Sequence, residues 1–469
     1  MQLISSYSIE LKVPRYLRRC LFDTIEIYRS AVSFCINSFE TVWDSLYLLD
    51  TLSQNSYANK LIHSTGTSCA MFTDFDKTFY KFPQGFRKSA VSQALSVLKT
   101  YHTNTSNSKY PTLNTNPNVM PFYYKNESVY KTEIKPEKCF KLKVYKDNDW
   151  KYIPLKFKKT DYDSLVKKQS LNNTKCKTTL QLQYERGKFF VKMFFETKVL
   201  FQKKKLSSQK ILAIDLGINT DACCSIMNSS GTILGRKFID FPRDKDYLNH
   251  TLNKIKRNQK TYKSSNNTGK LWRRFHNKTE QHSIKITKAI IEYAQQNNID
   301  VIVLEHLDFR SRKSSYKSGD NSTKLQYWRC KTLIKRITHQ AHLHGIRVST
   351  VSPAGTSAEA FDGSGQVVRD KSNYSLCTLQ SLNKNGKQKQ YNTDLNASYN
   401  IGARYFLRLI RNFLKTKESL VLISEDERSN TVGKIPGLLE VKRSTLNTLL
   451  LTNSYLNSKG ISLDSILSN

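Results

Sequence analysis

Ile211-Leu-Ala-Ile-Asp-Leu-Gly217 is an apolar run that ends in an acid and a glycine. A continuous run of this kind suits a strand covered on both faces, so it reads as a central strand with Asp215 near its carboxyl end. Ile299-Asp-Val-Ile-Val-Leu304 repeats the pattern and delivers Glu305 at its exit. Between them, Ala222 to Met227 and Thr232 to Phe238, joined by Asn228-Ser-Ser-Gly231, predict a hairpin. Apolar spacing predicts helices over Ser283 to Gln296 and Trp328 to His344, the second capped by Gly345, with a further strand over Ile346 to Val351. A last helix is expected over Leu395 to Phe413, directly after Asp394, and Asn392-Thr-Asp-Leu-Asn396 would also serve as its N-cap. Strand, hairpin, helix, strand, helix, strand, helix is the order of a mixed α/β sheet, in which chemistry sits at strand ends along one edge.

All three acids fall at such ends. Phosphodiester hydrolysis needs charge on the scissile phosphate neutralised while water attacks in line, and two divalent cations about 4 Å apart clamp both oxygens. Hard cations such as Mg²⁺, or Mn²⁺ in its place, take oxygen ligands. Asp215, Glu305 and Asp394 are therefore the candidate catalytic residues and metal ligands. One acid after an apolar strand is more often a cap or a surface residue; three in this element order point to a nuclease centre. His339, His342 and His344 lie on a helical pattern that fits core or solvent contact, and Cys223 and Cys224 fall in a strand and read as core.

The 469-residue chain is long enough for two to four domains, and 38% hydrophobic residues can fill their cores. It carries 75 Lys and Arg against 38 Asp and Glu, a formal charge of +37, which calls for a polyanionic partner such as nucleic acid. Between the first two acids lies a dense basic stretch, Lys254, Lys256, Arg257, Lys260, Lys263, Lys270, Arg273, Arg274 and Lys278, expected to grip a phosphate backbone. No run of about 18 apolar residues occurs, and Met1 to Glu10 lacks the order of a signal peptide, so no membrane and a cytoplasmic location are expected. The nine cysteines include no pair at the two-residue gap of a zinc knuckle, and their scatter suggests no disulfide framework.

In the first half, the alternating Tyr7-Ser-Ile-Glu-Leu-Lys-Val13 predicts a strand ended by Pro14, and helical spacing follows over Tyr16 to Leu49 and Ser89 to Tyr101. After a polar loop over Thr103 to Pro121, period-two patterns return at Phe140 to Tyr145 and Leu180 to Met193, the latter with a turn at Glu185-Arg-Gly187. The first strand is expected to join these in one small β domain. Lys203 to Lys210, charged and polar, is the candidate linker.

Ile214-Asp-Leu-Gly-Ile218, Val303-Leu-Glu-His-Leu307 and Asp394-Leu-Asn-Ala-Ser-Tyr-Asn-Ile401 resemble the three RuvC motifs of TnpB nucleases and their relatives, the type V CRISPR effectors. The likeness spans about Lys210 to Tyr405 and extends to Trp272-Arg-Arg-Phe-His276 and to Val351-Ser-Pro353 with Thr356-Ser357. It implies a multi-domain α+β and α/β fold: an N-terminal β wedge domain (1–15 and 116–202) with a helical recognition insertion (16–115), a linker (203–210) and a C-terminal RNase H-like (RuvC) domain (211–353 and 392–414). The family's zinc finger would occupy 354–391, but its first cysteine pair falls at about Ala360 and Gly363, and of the second pair only Cys377 remains, with Gln380 near its partner's place. No zinc is therefore expected, and Phe361, Val367, Tyr374 and Leu376 would fill this lid-like segment by packing. The tail, 415–469, has no reading. The resemblance implies RNA-guided cleavage of target DNA, with guide RNA and Mg²⁺ as cofactors. Two alternatives stay open: an RNA-guided DNA-binding regulator that does not cut, and an unguided nuclease or transposase on the same fold.

Overall fold

The computed structural model describes residues 1–66, 69–103, 119–124, 130–133, 139–169, 173–262, 268–306, 330–370, 372–373, 375–420 and 443–463. The chain divides into two compact units, Met1–Lys198 and Val199–Asn469.

In the first unit, β1 (Gln2–Lys12) runs through Pro14 into α1 (Arg15–Glu40), whose Leu21, Ile25, Tyr28, Val32 and Phe39 are buried along one stripe. Four helices follow: α2 (Trp43–Tyr47), α3 (Thr51–Ile62), α4 (Asp74–Thr78) and α5 (Gln84–Thr103). Asp50 caps α3 by accepting from the Leu52 and Ser53 amides. The chain then forms β2 (Phe122–Tyr124), β3 (Tyr130–Glu133), β4 (Cys139–Lys146), β5 (Asp149–Phe157), α6 (Lys159–Gln169), β6 (Thr174–Glu185) and β7 (Lys188–Lys198). These make one seven-stranded sheet in the order β2-β6-β7-β1-β5-β4-β3, with β1 pairing antiparallel to both β7 and β5. The β6–β7 turn places Arg186 and Gly187 at φ of 50° and 79°, the left-handed pair that a tight hairpin turn demands. The loop read over Thr103 to Pro121 lies almost wholly outside the described residues.

The stretch expected as a linker, 203–210, falls inside the second unit. It carries Leu206, fully buried beside Val303, Tyr405 and Leu449, and Lys204 pairs with Asp300 at 2.6 Å. Its lysines make it look loose, but one leucine and one ion pair anchor it. From there β8 (Lys210–Asp215), β9 (Ala222–Asn228), β10 (Ile233–Ile239), α7 (Pro242–Tyr262), α8 (Gly269–Gln296), β11 (Val301–Glu305), α9 (Cys330–Leu343) and β12 (Arg347–Val351) follow in order. The five strands form a sheet β10-β9-β8-β11-β12, in which β8, β11 and β12 are parallel and β9 and β10 are antiparallel. Parallel strands must be covered on both faces, and the eight residues Ile211–Ile214 and Val301–Leu304 are all buried. Gly345, at φ 72°, ends α9 as expected.

A small sheet of β13 (Val368–Arg369), β14 (Leu376–Leu382) and β15 (Gln388–Asn392) precedes α10 (Thr393–Leu420). Asn392 Oδ1 accepts from the Leu395 amide at 3.0 Å, so Asn392 caps α10 and Asp394 lies inside its first turn. Ala360, Cys377 and Leu379 form a core within the lid-like segment, with Phe361 and Val367 against it; Tyr374 lies outside the described residues. The unread tail contains α11 (Leu446–Ser458), which buries Leu446, Leu449 and Leu456 in one core with α10.

Candidate active site

β8 and β11 run side by side with Ile214 opposite Leu304, so the next residue on each, Asp215 and Glu305, leaves the sheet at the same edge. The first turn of α10 brings Asp394 there. The turn after β8 makes a second connection. A Cβ on Gly217 would stand 2.7 Å from the Thr220 carbonyl, so only glycine permits this close fold. Thr220 then reaches the Asp394 carboxylate by its side chain. Glu305 in turn accepts a hydrogen bond from the Thr356 hydroxyl.

The Asp215 carboxyl senses the other two acids. Burial pushes the Asp215 carboxyl well above the usual range, and the charges of Glu305 and Asp394 push it further, with Arg369 opposing. Burial also raises Asp394, against its Thr220 hydrogen bond and Arg369. Arg369 comes from β13 and donates to Ser357 Oγ at 2.7 Å, so the lid-like segment supplies a cation beside two of the acids. A set of carboxylate oxygens with unneutralised mutual charge is the donor chemistry of a hard divalent cation. As placed, though, no group of three or more His, Cys, Asp and Glu side chains among the described residues is arranged to hold a metal ion. Two of the acids are held instead by threonine hydroxyls.

Thr220, Thr356 and Arg369 are site residues that the sequence reading missed. Only Thr356 had a local signal, the Thr356-Ser357 pair after Pro353.

The basic stretch proves to be helical throughout its described part. Lys254, Lys256, Arg257 and Lys260 are exposed on α7, and Lys270, Arg273 and Arg274 on α8; Lys263 lies outside the described residues. Lys278 differs: with Lys285 it contacts Asp244 at 2.7 Å, tying α8 to α7. Burial alone would raise Asp244, but the Lys278 and Lys285 hydrogen bonds hold it at about 2. His342 packs edge-on against Phe201, His344 bonds Gln295 at 3.0 Å, and Cys223 and Cys224 are buried in β9. Among the described residues, no helix is long and apolar enough to cross a membrane.

Comparison with solved structures locates this architecture. A Cas12f1–sgRNA–target DNA complex matches over 82% of each chain at a TM-score of 0.51, with 13% identity. The chain shares the fold of Cas12f1. The Alicyclobacillus acidoterrestris C2c1 protein, solved with single-guide RNA, aligns over 83% of this chain and 70% of its own at 10% identity and a TM-score of 0.40. The model of the Aq_aa04 family matches residues 5–146. No curated protein matches the chain by sequence.

Proposed function

We propose that this protein is an RNA-guided DNA endonuclease whose cutting centre is Asp215, Glu305 and Asp394, carried by an RNase H-like (RuvC) domain over 211–353 and 392–414. The observation that carries the reading is the convergence of three carboxylates from β8, β11 and α10 at one sheet edge, close enough that two raise the third. The Cas12f1 fold, solved with sgRNA and target DNA, and a formal charge of +37 favour guide RNA and target DNA as partners. In this reading β1 and β2–β7 form the wedge domain, with α1–α5 as its helical insertion.

Asp215, Glu305 and Asp394 would hold Mg²⁺, as two ions, which would neutralise the scissile phosphate and acidify the attacking water. The chain's own groups do the rest. Arg369, oriented by Ser357 and lying beside Asp215 and Asp394, meets a phosphate oxygen and balances part of the carboxylate charge. Lys254, Arg257, Lys260, Lys270, Arg273 and Arg274 track the nucleic-acid backbone. The alternative is an RNA-guided DNA-binding protein that does not cut; the presence of all three acids, Asp215, Glu305 and Asp394, favours the cutting enzyme over it.

Purification of the full chain from its host, sequencing of the RNA that accompanies it and cleavage of a matched duplex with and without Mg²⁺ test the proposal. Expected are a discrete RNA, Mg²⁺-dependent cutting, and loss of cutting by roughly 10²-fold or more in Asp215→Ala with RNA and duplex binding kept. Bound RNA with no cutting in any divalent cation establishes the alternative. An absence of bound RNA overturns both.

A further inference from the structure

Helix α10 buries a polar stripe: Asn396, Asn400 and Arg404, one turn apart, are each 1% exposed or less. Burying amides and a guanidinium is costly unless they find partners, and here most of the partners are backbone groups of 352–361. Asn400 Nδ2 donates to the carbonyls of Thr356 and Glu359 at 3.0 and 2.8 Å. Asn396 Nδ2 donates to Glu359 O at 2.9 Å, while its Oδ1 accepts from the Phe361 amide at 2.7 Å. Arg404 Nη1 donates to the carbonyls of Ser352 and Ala354, each at 2.8 Å. What this lattice immobilises is Thr356, 3% exposed, whose hydroxyl stands 2.5 Å from Glu305 Oε1 and 3.1 Å from Pro353 O. A hydroxyl has one proton to give, and the carboxylate is both the nearer and the stronger acceptor.

We propose that Thr356 is a positioning residue for Glu305, held in place by Asn396 and Asn400. The inference rests on reading Glu305 as a metal ligand. A glutamate at a strand exit has three side-chain torsions to fix, and tying one of its oxygens to an immobile hydroxyl sets the carboxylate's direction before a cation arrives. One helix therefore contributes Asp394 from its first turn and orients Glu305 through Asn396 and Asn400 on its first two turns.

The test uses the full chain with its bound RNA and titrates Mn²⁺ alone, read by electron paramagnetic resonance, in wild type, Thr356→Val, Thr356→Ala and Thr356→Ser. Val and Ala are expected to weaken Mn²⁺ binding by roughly 10–100-fold, the usual effect of losing an outer-shell partner, and Ser to restore it. RNA binding should stay as in wild type, and the melting transition should fall by no more than the loss of one buried hydrogen bond brings. Unchanged Mn²⁺ affinity in either Val or Ala, or no recovery in Ser, overturns the positioning role while leaving the metal site intact. A wild type with no Mn²⁺ signal that Asp215→Ala removes overturns the metal-site reading, and this inference with it.

Discussion

The two units bury different chemistry. In Met1–Lys198 the core is apolar and rich in aromatics: Phe75, Phe82, Phe86, Tyr123 and Trp150 interlock at centroid distances of 4.8 to 6.0 Å. Its buried polar residues, among those described, are uncharged: Thr24, Ser38, Ser89 and Gln181. In Val199–Asn469 the buried set includes Asp221, Asp244, His282, Asn396, Asn400 and Arg404. An apolar core is the easier way to stabilise a domain: a buried ion pair replaced as a whole by hydrophobic residues often costs nothing, whereas removing one buried polar partner alone is expensive. Part of that buried polar set, Asn396, Asn400 and Arg404, lies on the helix that carries Asp394.

The comparison breaks first at Arg404. Its Nε and Nη1 satisfy three carbonyls, and burial pushes its guanidinium down to about 10 despite the charges of Glu305 and Glu359. Arg404→Leu strands those carbonyls and should cost the second unit about 3 kcal/mol or more, with the first unit unaffected. Hydrogen exchange resolved by segment checks this; uniform loosening of both units would contradict it. An intermediate effect is expected from Asp215→Asn in metal-free buffer. The unfolded carboxyl loses its proton near 3.8, whereas the native one, raised by burial and by Glu305 and Asp394, keeps it to higher pH. Stability is thus undiminished below 3.8 and falls as pH rises toward the native value, so the neutral asparagine should raise the melting temperature at neutral pH and flatten its pH dependence. A wild-type melting temperature that stays level from acid to neutral pH would sink this account. The smallest effect is expected in the first unit, where Ser89→Ala removes the 2.9 Å hydrogen bond from Tyr28 and should cost about 1 kcal/mol in denaturant unfolding, with no effect on Mn²⁺ binding.

The acids were legible in sequence because each follows a continuous apolar run or opens a helix, patterns set by neighbours along the chain. Their supports were not, since Thr220, Thr356 and Arg369 act across turns and sheets. Helix α8 was read only from Ser283 because its first turns are basic, yet Phe275 and Thr279 are buried there. Helix α11 escaped notice because Leu450 and Leu451 are exposed beside the buried Leu446 and Leu449, which blurs the helical period. The linker reading failed on Leu206, whose burial depends on strands far along the chain.

The stripe on α10 is completed by residues that follow it in the chain. Asn400 Oδ1 accepts from the Leu446 amide at 3.1 Å, and Arg404 Nε donates to Ser444 O at 2.9 Å. During synthesis those two partners leave the ribosome after all three acids have done so. A nascent chain therefore carries every carboxylate of the centre before it can lock the helix that aligns them.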